Sequence, residues 1–292
     1  MILVTGAAGL SGSIAIREFA RQGVPVRALV RDHAKAAALS GLPDVEIAEG
    51  DMLRAGTLTD ALKGVTRAFM ISSSGREMVA TQCNFIDACR KAGVAHVVKF
   101  SGAEPDFDPD RFPFTRMHEE IEDYLERSGL AWTHLRPSQF MQVYLREAKT
   151  IVEQDALRLP LDDAQLEPVD LHDVAKIAVT LLRDGGHEGH SYDITGPEAL
   201  TMADIAERIS QAVGRPIRYV PITLEERRTT LLAAGLPPFF VDAFDGQTKE
   251  RLRRRTARLC LGAHEAFGVA PTTFAQFARA NAAAFGARQA AA

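Results

Sequence analysis

Three glycines, Gly6, Gly9 and Gly12, stand at three-residue intervals near the start of the chain, in Thr5-Gly6-Ala7-Ala8-Gly9-Leu10-Ser11-Gly12. They follow the apolar run Ile2-Leu3-Val4-Thr5 and precede a stretch in which Ile14, Ile16, Phe19 and Ala20 are interleaved with Arg17, Glu18, Arg21 and Gln22. A turn free of side chains between a strand and a helix suits one chemistry in particular. It brings backbone N–H groups and the positive end of a helix dipole against a phosphate. The spacing predicts a dinucleotide pyrophosphate cradle at Gly6, Ala8, Gly9, Leu10, Ser11 and Gly12, with the last glycine allowing close packing of helix on strand. A glycine-rich turn without a ligand is the alternative, and the strand–helix context weighs against it.

A second station is expected about twenty residues further on, where an acidic side chain would hold a ribose 2′-hydroxyl and a basic one a 2′-phosphate. The sequence there reads Val30-Arg31-Asp32. Arg31 sits nearest the strand end and favours NADP, because a guanidinium stacks on adenine while forking onto phosphate. Asp32 leaves NAD open. Asp51 and Met52 follow the third apolar run, where the adenine edge would lie. Ser72 and Ser73 follow the fourth, beside the ribose and nicotinamide. All stand at the carboxyl ends of expected strands, where ligands collect in open parallel sheets.

The elements that must position these residues alternate regularly. Short apolar runs at 26–30, 45–48, 68–71, 94–100 and 131–135 are separated by amphipathic stretches, the clearest being helices over 78–92 and 115–128 with Gly93 and Gly129 just past their ends. This rhythm predicts an α/β protein with a Rossmann-like doubly wound parallel sheet, residues 1–155 binding the dinucleotide. Beyond Pro137 the pattern loosens. Residues 156–286 are expected to form a smaller, mostly helical substrate region, whose strands near 166–169 and 190–195 rejoin the main sheet. Residues 287–292 are expected to be a frayed tail. Asp170 and Thr201 are placed to cap helices, each with an aspartate three residues on.

Bulk composition narrows the partners. With 292 residues, 46% hydrophobic and 25% charged, the chain is long enough to bury a sizeable core, and a net charge of −4 gives no general attraction to nucleic acid or an anionic membrane. Three cysteines, Cys83, Cys89 and Cys260, show no metal-ligand spacing and suit a reducing, cytoplasmic setting. No metal site is expected. Arg251, Arg253, Arg254, Arg255 and Arg258 form a basic run, which helical spacing spreads around the axis as a solvated face.

Several segments together resemble the atypical short-chain dehydrogenases of the NmrA-like group, which includes NADPH-dependent quinone reductases and triphenylmethane reductases. They are the glycine turn, Val26-Arg27-Ala28-Leu29-Val30-Arg31, Gly50-Asp51, and His118-x-x-x-Glu122 running into Ser128-Gly129-Leu130-Ala131-Trp132-Thr133-His134-Leu135-Arg136-Pro137. Later segments agree: Asp170-Leu171-His172-Asp173-Val174-Ala175, Tyr192-Asp193-Ile194-Thr195-Gly196-Pro197-Glu198 and Phe274-Ala275-Gln276-Phe277-Ala278. The resemblance covers nearly the whole chain and implies a nicotinamide-dependent reductase.

One departure matters. Typical short-chain dehydrogenases carry Tyr-x-x-x-Lys, yet none of Tyr124, Tyr144, Tyr192 or Tyr219 has a lysine four residues on. An electrophilic acceptor such as a quinone or a dye can still take a hydride when it is well positioned. His118 is then the candidate for orienting the substrate or nicotinamide or for supplying a proton, with Glu122 one turn later to hold its ring. Ser101 is a candidate hydrogen-bond donor to a carbonyl, and Lys99 reads as structural or solvent-facing. Phe140 and Tyr144 are expected to floor an apolar pocket. The expected partner is a small-molecule electron acceptor, with the protein a monomer or homodimer. The rival reading is a non-catalytic NADP-binding redox sensor acting through a protein partner.

Overall fold

The computed structural model describes residues 1–102, 104, 107–108 and 112–287. Its strands are β1 (Ile2–Val4), β2 (Val26–Val30), β3 (Val45–Glu49), β4 (Arg67–Met70), β5 (His96–Phe100), β6 (Ala131–Pro137), β7 (Ala156–Leu159), β8 (His190–Ile194) and β9 (Arg218–Pro221). The helices are α1 (Leu10–Arg21), α2 (Leu58–Ala61), α3 (Met78–Ala92), α4 (Pro113–Glu126), α5 (Ala148–Gln154), α6 (Leu171–Asp184), α7 (Met202–Val213), α8 (Leu224–Ala233), α9 (Pro238–Arg254), α10 (Gly262–Ala266) and α11 (Phe274–Ala280). Seven strands form one sheet in the order β3-β2-β1-β4-β5-β6-β8, all parallel. This is the doubly wound, Rossmann-like arrangement expected from the alternation of elements.

The strands are apolar on both sides because both sides are covered. Val4, Phe69 and Val98 pack with Ile16 and Phe19 of α1 and Val174, Ala178 and Leu181 of α6. On the other face Leu3, Met70 and Val97 meet Phe85, Ile86 and Cys89 of α3 and Ile121 and Leu125 of α4. Successive residues of β5 therefore face opposite layers, which puts Lys99 and Ser101 on the side of α3 and α4.

The chain leaves β3 at one edge and crosses to β4 on the far side of β1, so connections diverge between β1 and β4. A crevice opens there at the strand carboxyl ends. Its base is fastened by Thr5, whose Oγ1 donates to the Ile71 carbonyl (2.6 Å) and accepts from the Ile71 N–H (2.8 Å).

The carboxyl-terminal part departs from expectation in detail. Residues 190–194 join the main sheet beside β6 as anticipated. Residues 166–169 form no strand ladder: Leu166 bridges Leu200, and Val169 bridges Phe140. A separate two-stranded sheet, β7 with β9, carries a third core of Tyr144, Leu157, Ile205, Ile209, Phe274 and Phe285. After β6 the chain forms a 3₁₀ segment, Met141–Glu147, leading into α5. The capping box at Thr201 and Asp204 forms. Asp170 caps α6 alone, while Asp173 instead binds Lys176 and accepts the Thr272 N–H. Of the expected tail, the Ala287 N–H bonds the Ala282 carbonyl, and 288–292 lie outside the described residues. No helix among the described residues is long and apolar enough to cross a membrane.

Candidate active site

The glycine turn has the geometry of a cradle. Gly6 adopts φ +59°, a left-handed conformation that admits glycine at little cost, and the turn closes with the Gly9 N–H donating to the Gly6 carbonyl. A β-carbon on Gly12 would lie 2.2 Å from that same carbonyl oxygen, so α1 can sit this close to the loop only because Gly12 lacks one. The first helical bond beyond the cap runs from Ser13 N–H to Gly9, and Gly9 caps the helix without a side chain. The amides of Leu10, Ser11 and Gly12 thus begin the helix where N–H groups have no intrahelical partner. Ala8 and Gly9 are exposed beside them. These residues fit a pyrophosphate.

At the end of β2 the two candidates separate. Asp32 turns its carboxylate back to cap the following 3₁₀ turn, accepting the Ala34 N–H at 2.9 Å, while the Arg31 side chain is exposed at the crevice edge. The residue available to a ribose substituent is the basic one. Asp51 is committed to its own turn, accepting from Leu53 N–H and pairing with Arg54. Met52, expected at the adenine edge, has its side chain in the core beneath. Ser72 accepts from Gln82 Nε2 at 2.8 Å, and Ser73 is exposed after β4.

Beside the crevice, at the end of β5, lies a connected polar network. The fully buried Lys99 places Nζ 2.9 Å from Ser101 Oγ and 2.8 Å from His118 Nδ1. The Ser101 hydroxyl also bonds the Glu122 carboxylate. Arg136 of β6 grips the same carboxylate, with Nε 3.1 Å from Oε1 and Nη2 on the other oxygen. Burial opposes the charge of Glu122, but its hydrogen bonds from Arg136 and Ser101 hold it below the usual carboxylate range. Burial lowers Lys99 to about 7, the nearby Glu122 carboxylate opposing the shift, and drives His118 well below the usual imidazole value. The ring of His118 presses on Gly102, where an added β-carbon would stand 2.8 Å from Nε2.

Sequence reasoning singled out Ser101, His118 and Glu122 but misjudged their wiring. Glu122 does share a helix face with His118, yet its carboxylate goes to Arg136 and Ser101. The partner of the imidazole is Lys99, which is fully buried rather than solvent-facing. The missed signal was available: Lys99 and Ser101 are two apart on a strand and so share a face.

The pocket residues also divide. Phe140 is partly buried in a row of rings with Phe100 (5.8 Å between centroids) and Phe69 beyond it. Tyr144 is fully buried in the third core, its ring edge-on to Phe274 and its hydroxyl accepting from Gln139. Tyr144 therefore presents no surface to a ligand, because the 3₁₀ turn aims it inward. A narrow cavity of about 40 Å³ lies instead at the ends of β6 and β8, bordered by Ser138, Glu167, Thr195, Arg254, Arg258 and Cys260. A larger hollow of about 460 Å³ between α3 and α4 is lined by Arg90, Asp123 and Arg127, near the helix C-termini and away from the strand carboxyl ends.

The basic run is a solvated face only in part. Arg251 is buried and Arg254 half-buried against Glu167, while Arg253, Arg255 and Arg258 are exposed and pair with Glu250, Asp163 and Asp193. Among the described residues no group of three His, Cys, Asp or Glu is placed to hold a metal ion.

The chain is similar to known proteins over nearly its whole length. The NAD(P)H azoreductase of Xenophilus azovorans is 37% identical over 289 residues, spanning 98% of this chain and 100% of that one. An NADPH-dependent quinone oxidoreductase of Escherichia coli, solved with NADPH, superimposes with a TM-score of 0.84 at 27% identity over 95% of this chain and 98% of that one. The triphenylmethane reductase of Citrobacter sp., solved with NADP(H), shares the fold, with a TM-score of 0.85 at 22% identity over 97% of this chain and 100% of that one. The model of the NmrA-like family matches residues 1–246. The chain belongs to the NmrA-like family.

Proposed function

We propose that the protein is an NADPH-dependent oxidoreductase that reduces a conjugated small molecule, a quinone or an azo or arylmethane dye. The observation that carries this reading is the pairing of a side-chain-free cradle at Gly6–Gly12 with an exposed Arg31 whose acidic neighbour Asp32 is tied to a helix cap. Arg31 is available to a 2′-phosphate, and the 37% identical azoreductase and the 27% identical quinone oxidoreductase act with such cofactors by name.

Bound NADPH supplies a hydride. This chain's own residues do the rest. The amides of Leu10, Ser11 and Gly12 bind the pyrophosphate, and Ser72 and Ser73 border the path from β4 to β5. Ser101, at the end of β5, stands roughly 10 Å from the cradle, two strand spacings along the sheet, with His118 reaching it from α4. There the Nε2 edge of His118 can meet the oxygen or nitrogen that gains a proton as the acceptor is reduced. The Phe69, Phe100 and Phe140 rings give the neighbouring strand ends an apolar, aromatic character. Such acceptors are reduced without a Tyr-x-x-x-Lys pair, because positioning beside the hydride donor supplies much of the acceleration.

Loss of NADPH absorbance with a panel of quinones and azo dyes tests the reading. Turnover with at least one acceptor, with NADPH preferred over NADH, is expected. Tight NADP binding with no turnover of any acceptor would overturn it in favour of a cofactor-binding sensor.

A further inference from the structure

We propose that Lys99 governs the proton of His118: it donates to Nδ1, so holding the ring in its Nε2–H tautomer, and replaces the proton that Nε2 gives to the reduced acceptor. This rests on the hydride-transfer reading above and adds to it a residue that acts through another.

Three observations carry it. Lys99 Nζ lies 2.8 Å from Nδ1, and while the amine is protonated it can only donate, so the ring proton then sits on Nε2. Gly102 lets the Nε2 edge of the ring pack this close to the end of β5: its φ is not left-handed, so the backbone does not demand glycine, but a β-carbon would meet Nε2 at 2.8 Å. Finally, among the described residues the ammonium is held in place without a direct ion pair, its other hydrogen bond going to Ser101 Oγ, which itself bonds Glu122.

The groups facing Lys99 are His118 and Glu122 from α4, Arg136 and His134 from β6, and Cys83 from α3. His134 is pushed by burial to about 4 and Cys83 by burial to about 11, so both are neutral near pH 7. Glu122 and Arg136 neutralise each other. Lys99 is the group of this set that changes charge near neutrality, burial having brought it to about 7.

The step balances. Hydride from the reduced nicotinamide adds to one atom of the acceptor, and the electron pair it displaces settles on an oxygen or nitrogen. That atom takes the Nε2 proton while Nδ1 takes one from Nζ, leaving a neutral amine and an Nδ1–H imidazole. When product leaves, Nε2 gains a proton from solvent and Nδ1 returns its own to Nζ. An ordinary lysine, near 10.4, would yield its proton too reluctantly to take part.

Nitrogen NMR of protein labelled at its eight histidines, with His118→Gln to assign the signal, reads the tautomer without any turnover. Below pH 7, where Lys99 is protonated, Nε2–H is expected in the wild type, and its loss in Lys99→Met. An Nδ1–H ring in the wild type at that pH would overturn the proposal, and that measurement needs no folded variant at Lys99. With a reducible quinone and saturating NADPH, wild-type kcat should fall as pH rises through about 7. Lys99→Met and Lys99→Gln should lose at least tenfold in kcat and lose this limb, with NADPH affinity within twofold. A limb that survives in both variants would sink the relay. If no acceptor turns over, the functional reading fails while the tautomer result still decides whether Lys99 sets His118.

Discussion

The imidazole of His118 and the backbone of Gly102 are in contact, with ring atoms Nε2 and Cδ2 2.8 and 2.9 Å from where a Gly102 β-carbon would stand. Real β-carbons do not approach heavy atoms this closely, so Gly102→Ala must move the ring, the loop or both. The ring is the easier to move, but it is held by Lys99. We expect Gly102→Ala to lower kcat at least tenfold while NADPH affinity stays within twofold, since the cradle lies two strands away. Full turnover in this variant would show that the Nε2 edge has no part in the reaction.

Gly12 should behave in the opposite way. Its β-carbon would overlap the backbone of Gly6 and Ala7, at 2.2 Å from the Gly6 oxygen, and neither can retreat without displacing β1 or α1. Gly12→Ala is expected to destabilise the protein by about 2 kcal/mol. It should also weaken NADPH binding at least tenfold, because the first-turn amides move with the helix. Gly9→Ala, whose nearest contact is 3.2 Å, should do much less. Thermal melts and fluorescence titration of the two variants side by side decide it; equal effects would show that close helix–loop approach is not what the glycines serve.

Cofactor choice rests on Arg31. A charge-assisted hydrogen bond is worth about 1.5–3 kcal/mol, so Arg31→Ala should weaken NADPH roughly ten- to a hundredfold. NADH binding should change little, since Asp32 remains committed to the Ala34 N–H. An equal loss for both nucleotides would mean that Arg31 stacks on the adenine without reading the phosphate.

The parallel sheet, the glycine turn between β1 and α1 and the place of Arg31 at the end of β2 were legible because each depends on local chain chemistry. Apolar runs of strand length, glycines at a strand–helix junction and a basic residue at a strand end are read within a few positions. The helix over 78–92 was placed to the residue because its Gly93 stop takes up φ +73°. What could not be read was which side chains meet across elements. Glu122 has His118 one turn away on its own helix, but the pairing that forms is with Arg136, fourteen residues on, since a guanidinium offers a planar fork to both oxygens. Tyr144 was misplaced for the same reason: an apolar side chain with a polar tip suits a pocket or a core equally, and only the partners, here Phe274 and Gln139, distinguish them. The ion pairs of Arg254, Arg255 and Arg258 could not be read because their carboxylates, Glu167, Asp163 and Asp193, lie 60 or more residues earlier in the chain.

Lys99 also makes the protein's stability depend on pH with an unusual sign. Burial lowers its folded-state value to about 7, against 10.5 when exposed, so between these values the unfolded chain binds more protons than the folded one. Stability from this group therefore rises with pH through that window, by up to about 1 kcal/mol per pH unit, whereas below pH 7 the full cost of burying the ammonium is present. Lys99→Met removes the charge and keeps a long unbranched chain. It also leaves Ser101 and His118 short of a donor, a fixed loss that does not vary across this range. Chemical denaturation of wild type and Lys99→Met from pH 7 to pH 10 should thus give a difference that moves steadily in favour of the wild type as pH rises. Parallel curves would mean that Lys99 keeps an ordinary value and is charged throughout, and the steep exchange of its proton with His118 would then exclude it as a donor at neutral pH.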